Sequence, residues 1–180
     1  MLTATATPVK PFTSDPTSAS FFKPDTDNHS LFGPPLRIQV DSEATPSSLF
    51  TATKTTNRAV YDTARTRAGV LPLPSTGSSS DPPPPSDVLL YNSENLIMET
   101  SIYNVGFYRS NRWLTPPVST GCLPGVLRRW LLEQGRIFEA DENSLTRESI
   151  VEGECVLLMN GVQGCQLGKI TLPNSPRLGD

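Results

Sequence analysis

The chain has 180 residues, which is enough for one domain and a tail. Its formal net charge is −3 at pH 7, so it lacks the diffuse positive field that would attract nucleic acid or anionic lipid. It has no apolar run long enough for a membrane helix, and its first residues lack the basic flank and apolar stretch of a signal peptide. Its three cysteines show no CxxC spacing, which favours a reducing compartment. We therefore predict a cytoplasmic protein that binds neither nucleic acid nor membrane.

The beginning of the chain has a composition that predicts disorder. Residues 1–35 are rich in Thr, Ser, Pro and Asp and are of low complexity. His29, the only histidine, lies there without a neighbour at metal-ligand spacing, so no metal site is predicted. Leu36–Val40 then alternates apolar and polar residues in the two-residue period of a strand. The folded domain is therefore expected to span residues 36–175.

Lys54 precedes a stretch without helix breakers. This stretch predicts a helix over residues 55–68 that ends at Gly69, with Lys54 at the junction before it. The following segment, 71–86, is rich in Pro and Ser and has no apolar period. We expect it to form a surface loop inserted into the domain.

Short apolar segments predict that much of the remaining chain is β-strand. Residues 87–91, 96–99 and 103–108 are predicted to form a meander of three successive strands. Two more strands are predicted at 155–159 and 165–170, joined by a turn.

Pro124 opens a second predicted helix, which ends at Gly135. One apolar stripe is expected on it, formed by Val126, Leu127, Trp130 and Leu131. With the strands, this helix and the one before it indicate an α+β fold, a mostly β core with helices packed on it.

Lys54 is the only lysine between Pro24 and Gly168. It is therefore the only amine of the predicted core that could condense with a carbonyl group, because arginine stays protonated and does not attack. A solvated surface lysine is the ordinary alternative.

Glu99 and the segment 120–128 add two further candidates. Glu99 ends an apolar strand, where a buried carboxylate is costly unless a cation or hydrogen-bond donors accompany it. The segment 120–128 places small residues before a helix start, where free N–H groups and the helix dipole favour a phosphate. A backbone-capped glutamate and a simple turn are the ordinary alternatives.

Taken in chain order, four motifs resemble those of the class IV pyridoxal-phosphate aminotransferase family, which includes aminodeoxychorismate lyases. They are Lys54-Thr-Thr-Asn-Arg58, Glu99-Thr-Ser-Ile-Tyr-Asn-Val105, Trp113-Leu-Thr-Pro-Pro117 followed by Gly121-Cys-Leu-Pro-Gly-Val-Leu-Arg128, and Leu158-Met-Asn-Gly-Val162. The resemblance covers about residues 36–172. It implies the larger domain of a fold-type IV enzyme, similar to D-amino acid aminotransferase, with pyridoxal 5′-phosphate as cofactor and a homodimer as the assembly.

The resemblance also implies site residues. Lys54 would be the Schiff-base lysine and then the base that moves a proton of the substrate. Glu99 would pair with the pyridine nitrogen and keep it protonated. The other residues implied to contact the cofactor are Arg58, Asn104, Leu123, Val126, Leu127, Gly161 and Val162. Val162 lacks the hydroxyl that relatives often carry there, so its contact would be through the backbone. Arg58 would reach the phosphate or a substrate carboxylate, or be a surface charge.

Within the family, the motifs look most like those of fungal aminodeoxychorismate lyases. This implies release of pyruvate from 4-amino-4-deoxychorismate, a small-molecule substrate, to give 4-aminobenzoate for folate synthesis. Two alternatives stay open. One is a class IV transaminase of branched-chain or D-amino acids, and the other is a noncatalytic remnant. The remnant is considered because family enzymes carry a smaller N-terminal domain that closes over the cofactor, and this sequence is expected to lack it.

Overall fold

The structure is a computed structural model that describes residues 16–17, 34–70 and 86–173. Eight strands in these ranges form one sheet. They are β1 (Leu36–Val40), β2 (Asp87–Tyr91), β3 (Ile97–Thr100), β4 (Asn104–Arg109), β5 (Arg112–Thr115), β6 (Phe138–Glu139), β7 (Cys155–Asn160) and β8 (Gly164–Thr171). Three helices accompany them, α1 (Leu49–Ala52), α2 (Ala59–Arg67) and α3 (Val126–Glu133), with short 3-10 turns at Val118–Thr120 and Arg147–Ser149.

The predicted α+β class with a mostly β core is confirmed. The predicted disorder of 1–35 and the predicted loop at 71–86 fall almost entirely outside the described residues. The domain boundaries therefore stay a prediction.

The sheet is mixed, with the order β3-β2-β1-β8-β7-β4-β5-β6. Parallel pairs join β1 to β2 and to β8, and β5 to β6. The other neighbours are antiparallel.

The predicted meander over 87–108 is wrong, although its three strands exist. β2 and β3 pair, but β4 lies in the other half of the sheet, between β7 and β5. The link between β3 and β4 is not a free hairpin turn, because the Asp87 carboxylate accepts hydrogen bonds from the Ser101 hydroxyl and from the Ile102 N–H. Local patterning identified the strands but carries no information on which strands become neighbours.

Both faces of the sheet are buried, and alternate residues of one strand enter different cores. Val156 and Leu158 of β7 belong to the largest core, together with Phe107 of β4. Leu157 and Met159 point to the other face, where they pack with Leu131 of α3. A third cluster on that face joins Tyr61 and Ala64 of α2 to Val88, Leu90 and Met98. The two longer helices therefore cover one face of the sheet.

Helix α2 begins four residues later than predicted, at Ala59 rather than at residue 55. The residues before it are held by local side-chain bonds: the Asn57 N–H donates to the Thr55 hydroxyl, and the Ala59 N–H lies 3.4 Å from the Asn57 carboxamide oxygen. Such bonds compete with helix formation. Lys54 therefore lies before the helix as predicted, but in a longer connection, between Ala52 and Ala59.

Helix α1 was not anticipated from the sequence. Its beginning is fixed by a capping box, in which Ser48 and Thr51 exchange side-chain and backbone hydrogen bonds. The helix ends at Ala52, directly before the connection that carries Lys54.

The apolar stripe predicted on α3 is only partly correct. Leu131 is fully buried, but Val126 is 70% exposed and Trp130 is 42% exposed. The side chain of Arg128 is buried instead, and its guanidinium donates to the Pro116 carbonyl at 2.8 Å and to the Glu139 carboxylate at 2.6 Å. Those bonds stabilise the buried charge, which hydropathy alone does not reveal. None of the helices within the described ranges has the length and apolar character needed to cross a membrane.

Candidate functional site

A cavity of about 580 Å³ lies where four chain segments meet. The segments are the α1–α2 region from Phe50 to Tyr61, the end of β3 through the start of β4 (99–104), the entry to α3 (123–127), and the turn after β7 (159–161). A cavity of this volume is within the usual range for small-molecule sites. The segments are distant in sequence, so the cavity exists only in the folded chain.

Lys54 lines this cavity and is itself exposed. The connection between α1 and α2 places it there, since Thr53 caps α1 and Arg58 caps α2. The only other cationic side chain among the described lining residues is Arg58. A primary amine is thus accessible to a ligand inside the cavity.

Glu99 lines the same cavity at the end of β3 and is only 3% exposed. One carboxylate oxygen accepts a hydrogen bond from the Tyr61 hydroxyl at 2.7 Å, and the other accepts one from the Asn104 carboxamide at 3.3 Å. Burial raises the pKa of Glu99 to about 7, although the Tyr61 hydroxyl and the Leu123 backbone oppose this by stabilising the ionised form. Glu99 is therefore a buried acid that can change its protonation state near neutral pH.

Asn104 joins Glu99 to the entry of α3. Its carboxamide also donates to the Leu123 carbonyl at 2.7 Å. Gly125, the N-cap of α3, lies so close that a β-carbon on it would be 2.2 Å from the Asn104 side-chain oxygen. Only glycine fits this contact without displacing Asn104.

The N-terminus of α3 faces the cavity. Its first amide groups, which have no acceptor within the helix, belong to Val126, Leu127 and Arg128. The first α-helical bond runs from the Arg129 N–H to the Gly125 carbonyl at 3.0 Å. Val126 and Leu127 line the cavity. A helix N-terminus open to a cavity suits an anion.

The structure brings together eight of the nine predicted site residues, all of which lie in the described part of the chain. Those lining the cavity are Lys54, Arg58, Glu99, Asn104, Leu123, Val126, Leu127 and Gly161. Val162 is outside the lining and is 83% exposed. Its N–H donates to the Asn160 side chain at 2.9 Å, and its expected backbone contact with the cofactor stays a prediction.

Arg58 is held against the protein rather than extended into solvent. Its guanidinium donates to the Ser101 carbonyl at 2.7 Å and lies 4.9 Å from the centre of the Tyr61 ring. The alternative of a plain surface charge is therefore not favoured.

Tyr61 is a site residue that the sequence reasoning missed. It lies on α2, is buried, and lines the cavity. The sequence offered one weak signal, the four-residue spacing of Tyr61 and Arg65, but only the structure shows that both are buried. Its contact with Glu99, which is 38 positions away in sequence, is visible only in the fold.

The sequence matches a family model over residues 1–168, and that family is amino-transferase class IV. Two yeast proteins are similar to the chain at 37% identity. "Putative aminodeoxychorismate lyase" of Schizosaccharomyces pombe matches over 119 residues, which are 66% of this chain and 46% of that protein. "Aminodeoxychorismate lyase" of Saccharomyces cerevisiae matches over 139 residues, 74% of this chain and 36% of that protein. The chain spans less than half the length of each.

Solved structures give the same picture of the fold. The crystal structure of "Putative 4-amino-4-deoxychorismate lyase" from Legionella pneumophila is 26% identical, with a TM-score of 0.59, over 78% of this chain and 48% of that chain. The branched-chain aminotransferase of Thermoproteus uzoniensis has a TM-score of 0.56 over 79% of this chain and 47% of that chain, at 20% identity, which is a likeness of fold alone.

Proposed function

This chain belongs to the amino-transferase class IV family, and from that premise we propose that its cavity binds pyridoxal 5′-phosphate and takes part in aminodeoxychorismate lyase chemistry. In this reaction 4-amino-4-deoxychorismate loses pyruvate and leaves 4-aminobenzoate. The observation that carries the proposal is that Lys54, Glu99 and the N-terminus of α3 line one cavity. The two yeast proteins that carry the lyase name support lyase over transaminase chemistry.

The residues present fit the cofactor at each of its functional groups. The amine of Lys54 suits its aldehyde, and the carboxyl of Glu99 suits its pyridine nitrogen. The free N–H groups at Val126 and Leu127 suit its phosphate. Asn104 keeps the Glu99 carboxylate and the α3 entry together, since it donates to both. Arg58 adds positive charge on the same cavity wall.

Each of these residues has a distinct chemical task. Pyridoxal phosphate, when bound, supplies an electron sink for the electrons left on the substrate by deprotonation. Lys54 would hold the cofactor through its amine and, once the substrate amine has displaced it, would accept a proton from the substrate ring at its free Nζ. The ionised carboxylate of Glu99 would keep the pyridine nitrogen protonated, and the hydrogen bond from the Tyr61 hydroxyl favours that ionised form. The amide groups of α3 fix the phosphate end and thereby orient the ring.

The assembly and location remain predictions of the same proposal. We expect a homodimer in the cytoplasm, acting on a small-molecule substrate. Sedimentation of the purified chain with and without pyridoxal phosphate would test the dimer directly.

Borohydride reduction tests the cofactor and its lysine together. Purified chain mixed with pyridoxal phosphate should develop an absorption band that neither component shows alone, and reduction should fix the cofactor on the peptide that contains Lys54. Lys54→Gln should lose both signals. Lys169→Gln is the matched control, because Lys169 is exposed on β8 and is not among the lining residues of the cavity. Labelling of Lys169 instead of Lys54 would refute the site.

A second experiment separates lyase from transaminase chemistry. The full-length, cofactor-loaded protein is incubated with aminodeoxychorismate in the absence of a keto acid. Pyruvate and 4-aminobenzoate should appear together in equal amounts. Turnover that depends on an added keto acid acceptor would favour the transaminase instead.

A further inference from the structure

Tyr61 contacts the Glu99 carboxylate, and neither the sequence motifs nor the family resemblance gave Tyr61 a role. Tyr61 donates its hydroxyl to one Glu99 oxygen at 2.7 Å, inside the cavity wall. Tyr61 is 7% exposed and Glu99 is 3% exposed, so water does not compete effectively for this bond. A hydrogen bond to an ionised group in such surroundings is stronger than one in water.

We propose that Tyr61 is a positioning residue that sets the orientation and the proton affinity of Glu99. Tyr61 keeps the carboxylate facing the cavity and favours its ionised form. This inference rests on the proposed function in one respect only, which is that Glu99 serves the pyridine nitrogen. The Tyr61–Glu99 contact itself does not depend on that assignment.

The groups around this pair keep the Tyr61 hydroxyl protonated, so it can donate to Glu99. Burial and the adjacent Glu99 both raise the pKa of the Tyr61 phenol, so its proton stays in place at any physiological pH. The Arg58 guanidinium lies 4.9 Å from the centre of the Tyr61 ring and also donates to the Ser101 carbonyl. Tyr61 is thus a pre-oriented donor aimed at one oxygen.

Other titratable groups near Glu99 also bear on its pKa, but none of those named here donates a hydrogen bond to the oxygen that Tyr61 contacts. Arg58 lowers the pKa of Glu99 and Asp87 on β2 raises it. Cys122, before α3, has its pKa raised to about 11 by burial and stays a neutral thiol. Lys54 lines the same cavity. The second oxygen of Glu99 has Asn104 at the longer distance of 3.3 Å.

The closing experiment measures Glu99 itself in the cofactor-free chain. The side-chain carboxyl carbon of Glu99 is followed by nuclear magnetic resonance as the pH is raised, with its signal assigned by its absence in Glu99→Gln. In Tyr61→Phe the pKa of Glu99 should rise by about 1, because one charge-assisted hydrogen bond to its ionised form is lost.

Tyr103→Phe is the matched control. Tyr103 is also a buried tyrosine of the cavity wall, but its hydroxyl bonds the side chain of Gln163 rather than Glu99. The pKa of Glu99 should be unchanged in that variant. An unchanged pKa in Tyr61→Phe, or an equal rise in both variants, would overturn the proposal. Failure of borohydride labelling at Lys54 would instead overturn the proposed function, so the two failures are distinguishable.

Discussion

At the scale of single residues, the site combines an exposed amine with a buried acid. The Lys54 side chain is exposed and lines the cavity, so a ligand can reach its amine without a change in the protein. Glu99 is buried away from water, so its ionised form is poorly solvated in the folded chain without a ligand. A cationic group bound in the cavity would relieve that cost, and a protonated pyridine nitrogen is such a group.

The buried acid should make the stability of the cofactor-free chain depend on pH. The pKa of Glu99 is raised from 4.5 to about 7 in the fold, so folding favours its protonated form. Its contribution is complete below about pH 4.5 and is lost as the pH rises through about 7. Ionisation at Glu99 should therefore cost stability on the order of 3 kcal/mol across this window.

Urea unfolding at pH 4.5 and pH 7.5 checks this prediction, with Glu99→Gln as the comparison. The wild type should lose more stability between the two pH values than the variant does, since the variant cannot ionise at this position. Equal losses in the two proteins would mean that Glu99 titrates as an ordinary exposed glutamate.

At the scale of elements, helix α3 is positioned by its contact with β4. Gly125 at the helix entry packs directly against Asn104 at the start of β4, and Asn104 in turn donates a hydrogen bond to Glu99. Sequence reasoning proposed the entry as a candidate phosphate site from its small residues. It had no means of finding that Asn104 requires Gly125.

Replacing this glycine should be costly. Gly125→Ala would put a β-carbon 2.2 Å from the Asn104 oxygen, so Asn104 must move and its bonds to Leu123 and Glu99 are weakened. We expect a loss of about 2 kcal/mol in the free energy of unfolding, together with weaker binding of pyridoxal phosphate.

Gly161→Ala is the control for this change. Gly161 also lines the cavity, but a β-carbon there meets no atom within 4 Å. Its urea midpoint should remain close to that of the wild type. If the two alanine variants are equally stable, the contact between Gly125 and Asn104 does not hold the helix entry in place.

The limits of helix prediction are also visible at this scale. Gly135 ends α3 in the left-handed conformation as its position predicted, with φ of 63°. The start of α2 was misplaced because the side chains of Thr55 and Asn57 bond the local backbone, which propensity rules do not include.

At the scale of the whole molecule, a cavity between four segments links ligand binding to folding. Any ligand that binds the folded chain alone stabilises it by mass action. Pyridoxal phosphate should therefore raise the melting temperature of the chain. At a free concentration about 100 times its Kd it should raise the free energy of unfolding by roughly 2.7 kcal/mol.

Comparing pyridoxal with pyridoxal phosphate separates the contribution of α3. Pyridoxal has the aldehyde and the ring but no phosphate, so at equal concentration it should raise the melting temperature less. Inorganic phosphate at the same concentration controls for general anion effects. Equal shifts from the two vitamers would mean that the free N–H groups of α3 do not hold the phosphate.

The sequence by itself determined six of the eight described strands, because apolar patterning is a local property of the chain. It also singled out Lys54 and Glu99 as candidates by their chemical context. Only the tertiary structure decided that β1 lies between β2 and β8, and that Tyr61 meets Glu99. Such contacts join positions far apart in the chain and are selected by packing in three dimensions. No local periodicity encodes them, which is why the acid was found from the sequence and its hydrogen-bond donor was not.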